Sequence, residues 1–381
     1  MGKRIFRVLF FCVFAAMLGL GIIAPIMPIY AENLGATGIG LGLIFAGFSL
    51  SRGVLMPIIG KMSDRRGRKI FISAGLLIYA LVSLGYIGAN SVADLVWVRL
   101  VHGMGSAMVI PISMAYVGEI SPKGKEGIYL GTFNIALFLG MGAGPLLGGF
   151  LTDYLGMSST FYAMFALTAL SLILILIFLP EKQDQNDGLE KKRFFSFRQI
   201  LQNKIMQGIF LFRVVNALGR GAIMSFLPIF ANSIKLSSSQ IGIILSINVF
   251  LMSLLQRQFG KFADKYDKYY LIITGSLMAA IALFFIPRTH TFWELLMTAI
   301  LMGIGGAIAM PSATALITSL GKGYGMGATM GLFNMAMSIG MTLGPLISGM
   351  LMHLIGVKSV FYFGSCILGI GMGMFYWFVN K

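Results

Sequence analysis

The stretch GTFNIALFLGMGAGPLLGGFL, from Gly131 to Leu151, has a counterpart 200 residues further on, GLFNMAMSIGMTLGPLISGML, from Gly331 to Leu351. Asn134 aligns with Asn334, Gly140 with Gly340, and Gly144-Pro145 with Gly344-Pro345. Without a gap, the same offset pairs Gly21 and Pro28 with Gly221 and Pro228, and Gly60, Lys61 and Asp64 with Gly260, Lys261 and Asp264. It also pairs Pro111 with Pro311 and Phe161-Tyr162 with Phe361-Tyr362. One register kept along most of the chain marks an internal duplication.

The duplicated unit is made for lipid. Of the 381 residues, 57% are hydrophobic and only 11% charged, less than half the charge of an ordinary soluble domain. Runs of about 20 apolar residues cross a hydrocarbon core about 30 Å thick. Such runs are predicted near 5–30, 40–59, 70–90, 93–118, 127–151, 158–180, 205–230, 240–259, 269–287, 292–318, 327–351 and 357–379. The first is too long for a signal-peptide core and has no clear cleavage site, so it reads as a retained helix. The 49 glycines allow close helix approach, and the 27 methionines fill irregular cavities.

A formal net charge of +16 could indicate nucleic acid, but its placement indicates topology and no nucleic-acid partner. With both termini inside, inner segments hold 21 of the 29 Lys and Arg, and outer loops only Lys235, Arg288 and Lys358. That asymmetry predicts cytoplasmic termini in the plasma (inner) membrane. The one long polar stretch, 181–203, is either a helical linker on the inner membrane face, with Phe194, Phe195 and Phe197 among basic residues, or a flexible connector. It divides the chain into bundles at 1–180 and 204–381. The expected fold is all-α: twelve transmembrane helices in two pseudo-symmetric six-helix bundles, with a substrate site between the halves near mid-membrane. Cys12 and Cys366 have no metal-ligand spacing.

Three motifs give the chain a family resemblance. Gly60-Lys61-Met62-Ser63-Asp64-Arg65-Arg66-Gly67-Arg68-Lys69 matches the G-x-x-x-D-R-x-G-R-[KR] loop of the major facilitator superfamily at every defining position. Gly60 and Gly67 permit a tight turn, and Asp64 can accept hydrogen bonds from helix-end amides or Arg and so act as a gating latch. The second-half copy has Asp267 where Gly67 aligns, which points to a degenerate latch. Arg99-Leu100-Val101-His102-Gly103-Met104-Gly105 resembles the family's R-x-x-Q-G-x-G segment, with His102 in place of Gln. The resemblance implies proton coupling for Arg99; a role tying helices through carbonyls is equally open. His102 is either titratable near neutral pH or a packing residue. Gly140, Gly144, Pro145, Gly148 and Gly149 resemble the signature of the superfamily's drug:proton antiporter branch, which implies export. Small residues four apart form a groove for a neighbouring helix, and Pro145 bends its own.

The chain departs from that branch in one respect. Many drug exporters of the branch have an Asp in the first span where this chain has Ala16; the only acid near that run is Glu32, read as either the proton site or a mouth residue. Arg52, Arg99, Arg213, Arg220 and Arg257 instead lie within spans. Asn216 and Arg220 share a helical face. Arg257 and Arg213 can extend toward the membrane surface, whereas Arg52 and Arg220 are deep and must meet acids or an anionic substrate. No ATP-binding loop, catalytic cluster or cofactor motif is present, so the reading is a transporter and no enzyme, energised by a proton gradient. Two substrate classes compete: hydrophobic or amphipathic drugs exported against protons, or an anionic or polar amphiphile such as an organic acid or glycolipid, exported or flipped. Partners are a small or lipid-like substrate, protons and membrane lipids, for a monomeric chain.

Overall fold

The computed structural model describes residues 2–122, 125–180, 202–324 and 326–380. Thirteen α-helices and one 3-10 turn order the described residues, and no strand occurs among them. They are α1 Gly2–Ile22, α2 Met27–Asn33, α3 Gly38–Arg66, α4 Arg68–Ile87, α5 Val92–Ile120, α6 Glu126–Leu155 and α7 Ser158–Phe178. After the linker come α8 Lys204–Ser233, α9 Ser238–Lys265, α10 Lys268–Phe285, α11 Phe292–Tyr324, α12 Met326–Ile355 and α13 Val357–Asn380. Twelve of these, all but α2, are long and apolar enough to cross a membrane, and the chain is an integral membrane protein. A helix closes its own backbone hydrogen bonds, which lipid cannot do for it. Trp97, Tyr154, Trp293 and Leu354 are exposed on the spans, as a hydrocarbon solvent allows. The linker expected at 181–203 falls, apart from Gln202 and Asn203, outside the described residues.

The first apolar run is not one helix. α1 stops at Ile22, and a turn closed by Ala24 N–H to Gly21 O (3.1 Å) and Met27 N–H to Ile23 O (2.9 Å) precedes α2. Pro25 and Pro28 together remove two ladder donors within one turn. Ser225 stands where Pro25 would repeat, and α8 runs unbroken through Pro228. Asn203 starts α8, its side-chain oxygen accepting from the N–H of Ile205 (2.9 Å) and Met206 (3.2 Å).

The chain forms two compact units. Unit 1 comprises Met1–Ala36, Leu43–Asp187 and Ser237–Ser246; unit 2 comprises Thr37–Gly42, Gly188–Leu236 and Ile247–Lys381. In unit 1, α1 packs on α6 and α7, and α4 on α5 and α7, around Leu9, Val13, Ile72, Tyr79, Val109 and Phe133. In unit 2, α8 packs on α12 and α13, and α10 on α11 and α13, around Ile209, Phe212, Ile272, Ala313, Phe333 and Phe375. The internal repeat thus appears as the same helix pairings in both units.

Candidate transport site

The charged loop between α3 and α4 is a folded device. Gly67 takes φ +88°, a left-handed conformation that favours glycine, and lets α4 begin at Arg68. The Arg68 guanidinium then donates to Asp64 Oδ1 at 2.8 Å, to Glu119 Oε1 through Nε at 2.7 Å, and to Ser63 Oγ at 3.2 Å. Asp64, read from sequence as accepting from helix-end amides or Arg, accepts from Arg68, and Glu119 at the end of α5 is a partner that the motif does not contain. Lys69 Nζ donates to the Leu176 carbonyl of α7 at 3.0 Å. Arg65 makes no hydrogen bond or ion pair among the described residues. In the second copy Asp267 has φ −62° and accepts from Tyr269 N–H at 2.8 Å, so it caps α10 and does not reproduce the Gly67 turn. The Asp264 side chain lies outside the described residues.

The glycines of α6 seat that helix directly on α1. A Cβ at Gly140 would stand 2.6 Å from the Phe14 carbonyl oxygen, and one at Gly144 would stand 2.5 Å from Gly21 Cα. A Cβ at Gly148 would collide with the Ile22 carbonyl and one at Gly149 with that of Ser238, which belongs to the same unit. Pro145 contributes Cδ, 3.2 Å from where a Gly21 Cβ would be. Gly340 and Gly344 repeat the arrangement on α8, against Val214 and Leu218. Of the five residues that resemble the antiporter signature, Gly140, Gly144, Pro145 and Gly148 therefore meet α1 and Gly149 meets the start of α9, and at none of the four glycines does a side chain fit.

Arg99 and His102, one helical turn apart on α5, enter a buried aromatic cage in unit 1. Arg99 is 4% exposed, with its guanidinium carbon 4.8 Å from the Phe45 ring and 5.5 Å from Phe48. His102 Nδ1 pairs with the Tyr86 hydroxyl at 2.9 Å, and its ring meets Phe48, Tyr79 and Tyr86 edge-on. Arg99 Nε and His102 Nε2 are buried without hydrogen-bond partners. Arg52, half-buried on α3, lies within electrostatic reach of Tyr79. Unit 2 has Asn248 for Phe48 and Ala299 for Arg99, and the Asn248 side-chain amide donates to the Ala299 carbonyl at 2.9 Å.

The cations of α8 have sulfur for company. Arg213, expected to extend outward, is instead 8% exposed and donates to Met310 Sδ (3.2 Å) and Met337 Sδ (2.8 Å), with Phe333 4.5 Å from its guanidinium carbon. Arg220 donates to Met252 Sδ at 3.1 Å. Asn216 lies between them, half-buried. No carboxylate lies within ion-pair distance of either Arg among the described residues. Arg257 likewise has no ion pair among them.

Glu32 lies in the last turn of α2, half-buried, with no hydrogen bond or ion pair to its carboxylate among the described residues. Burial pushes its pKa up from the usual carboxylate value. Two residues earlier, the Tyr30 hydroxyl donates to the Tyr86 and Ala89 carbonyls at 2.8 and 3.1 Å, anchoring α2 to the end of α4. Asp153, unremarked in sequence, accepts from Ser238 N–H (3.1 Å) and Ser239 N–H (2.8 Å) at the start of α9, within unit 1.

Twelve membrane-spanning helices in a duplicated arrangement, with cations held deep within the spans, define a polytopic helical membrane transporter. The Major Facilitator Superfamily model matches residues 9–216 and 209–381, and the chain belongs to that superfamily; it is a transporter and not an enzyme. It is 33% identical to an uncharacterized MFS-type transporter of Methanocaldococcus jannaschii, over 98% of this chain and 97% of that one. It is 27% identical to the quinolone resistance protein NorA of Staphylococcus aureus, over 92% and 90% of the two chains. A solved bacterial homolog of the human lysosomal transporter Spinster shares the fold at a TM-score of 0.85 with 14% identity, covering 99% of this chain and 97% of that one.

Proposed function

We propose that this chain is a proton-coupled exporter of hydrophobic or amphipathic small molecules, working by alternating access as a monomer in the plasma (inner) membrane with both termini cytoplasmic. The observation that carries the reading is the seating of Gly140, Gly144 and Gly148 on the α1 backbone, because these glycines resemble the signature of the antiporter branch. A joint without side chains lets two helices stay in van der Waals contact while they shift. The similarity to NorA supports the drug side of the proposal. Glu32 is the candidate proton carrier, since burial raises its pKa and so favours the proton-loaded form of a half-buried acid. The two bundles are assigned to 1–180 and 204–381, with 181–203 as the cytoplasmic linker.

The test is transport in proteoliposomes loaded with a fluorescent quinolone. An imposed proton gradient should drive its movement against the proton flux, and an uncoupler should abolish it. Movement that persists with both the pH gradient and the membrane potential collapsed would overturn proton coupling.

A further inference from the structure

The duplication supplies an internal control for the cations of unit 2. Arg213, Asn216 and Arg220 are spaced three and four residues apart and so share one face of α8. Around them stand Met252, Met310 and Met337. Two hundred residues earlier, the positions of Arg213, Asn216, Arg220, Met310, Phe333 and Met337 are occupied by Val13, Ala16, Leu20, Ile110, Phe133 and Leu137. All six belong to, or pack against, one apolar cluster of unit 1. These six positions are thus filled in unit 1 without a polar side chain, while the position of Met252 holds Arg52 there. The fold does not require cations at these positions, and burial away from water opposes them.

We infer that this face of α8 is an anion-binding site, which takes the carboxylate or sulfonate of an organic anion whose body is aromatic or otherwise apolar. A guanidinium has five N–H donors and no acceptor. Arg213 directs two of its donors to thioethers, which are weak acceptors, and its Nε is buried with no partner. Arg220 has one thioether. Neither guanidinium has a carboxylate within ion-pair distance among the described residues, so an incoming anion would supply the missing counter-charge. Its oxygens match the fork geometry of Arg, and the Asn216 amide adds a neutral donor on the same face. The thioethers and Phe333 give the apolar body a soft, adaptable wall. Arg213 is buried while Asn216 and Arg220 are half-buried.

This inference deepens the export reading by naming the substrate class, and it is tested without any gradient. Full-length protein in neutral detergent is dialysed to equilibrium against 2-naphthoate, 2-naphthalenesulfonate, 2-naphthalenemethanol and 2-naphthylmethylammonium. At least one of the two anions should bind about tenfold or more tighter than the carbinol, as expected for charge-assisted hydrogen bonds, and the ammonium should bind weakest. The triple variant Arg213→Val, Asn216→Ala, Arg220→Leu installs the unit 1 residues; it should unfold cooperatively and lose the preference for anions. Equal binding of the carbinol and both anions, or an anion preference surviving in the triple variant, overturns the site. Full displacement of the bound anion by chloride at matched concentration overturns the organic-anion assignment. If the triple variant does not fold, Arg220→Gln, which leaves the thioether walls in place, must still lose the preference, and its retention refutes the proposal. Failure of proton-driven transport with intact anion binding would instead count against the export reading alone.

Discussion

Arg68 Nε donates to Glu119 Oε1 at 2.7 Å, so the first residue of α4 is held by the last turn of α5 across 51 residues of sequence. Arg68 also holds Asp64, whose side chain is 59% exposed against 37% for Glu119. An exposed ion pair is worth only about 0.2–1 kcal/mol, so the Glu119 arm carries more of the stabilisation. Glu119→Gln should therefore slow interconversion of transport states more than Asp64→Asn, and both should leave substrate affinity nearly unchanged. Spin-label distance distributions across the inner ends of the spans, measured beside binding isotherms, check this. A loss of affinity with unchanged distance distributions counts against a latch.

The joint between α1 and α6 predicts a steric effect. A methyl group at Gly144 would sit 2.5 Å from Gly21 Cα, where only backbone movement makes room. Gly144→Ala should destabilise the protein by about 1–3 kcal/mol, the usual cost of overpacking, and slow transport as well. Gly131, on the same helix, has nothing within 4 Å of its added Cβ and serves as the control. Thermal unfolding of Gly144→Ala and Gly131→Ala in detergent distinguishes them, and equal midpoints would show that the joint is not tight.

These particulars mark how far the sequence could be read. The twelve spans and the duplication were legible because bilayer thickness fixes the run length and a 200-residue offset needs no structure to be seen. The break after Ile22 follows from Pro25, which the repeat comparison did not weigh because it has no counterpart. The glycines of α6 announced a groove, but what fills it, the backbone from Phe14 to Ile22, is a tertiary fact. Glu119 was hidden because an acid at a span end is ordinary, and only the fold brings it to Arg68. Met252, Met310 and Met337 read as cavity filler, and their sulfurs gain meaning only through the guanidinia they face. Tyr79 and Tyr86 were lost among apolar neighbours for the same reason.

Glu32 sets a pH dependence. Burial disfavours its charged form, so its folded-state pKa lies above the unfolded value. The folded protein therefore binds the proton more readily, and the contribution of Glu32 to stability is full below about pH 4, the unfolded carboxyl range, and is lost as pH rises through the raised folded pKa. Glu32→Gln should remove that part of the pH dependence of the thermal midpoint. If Glu32 carries the coupled proton, the same variant should bind quinolone but fail to respond to a pH gradient in proteoliposomes. Gradient-driven transport at the wild-type rate in Glu32→Gln would assign coupling elsewhere.

His102 distinguishes a packing role from a titrating one, because the family resemblance places Gln at its position. Its Nδ1 pairs with the Tyr86 hydroxyl at 2.9 Å, and its ring fills the space between Phe48, Tyr79 and Tyr86. Arg99, one turn away, is held on the Phe45 and Phe48 faces with no carboxylate in ion-pair range among the described residues, so a second positive charge on the imidazole would find repulsion and no partner. That arrangement favours a neutral ring acting by shape and hydrogen bond. Gln at this position can pair with the Tyr86 hydroxyl through its amide, whereas Leu cannot. His102→Gln should thus keep transport and its pH profile within about twofold of wild type, a difference of under ~0.5 kcal/mol. His102→Leu and Tyr86→Phe should each leave a buried polar group unpaired, at a cost of about 1–3 kcal/mol in unfolding free energy. Transport rate against pH for His102→Gln, with thermal unfolding of all three variants, is the measurement. A shifted or flattened pH profile in His102→Gln with normal stability would make the imidazole a participant in proton movement and overturn the packing role.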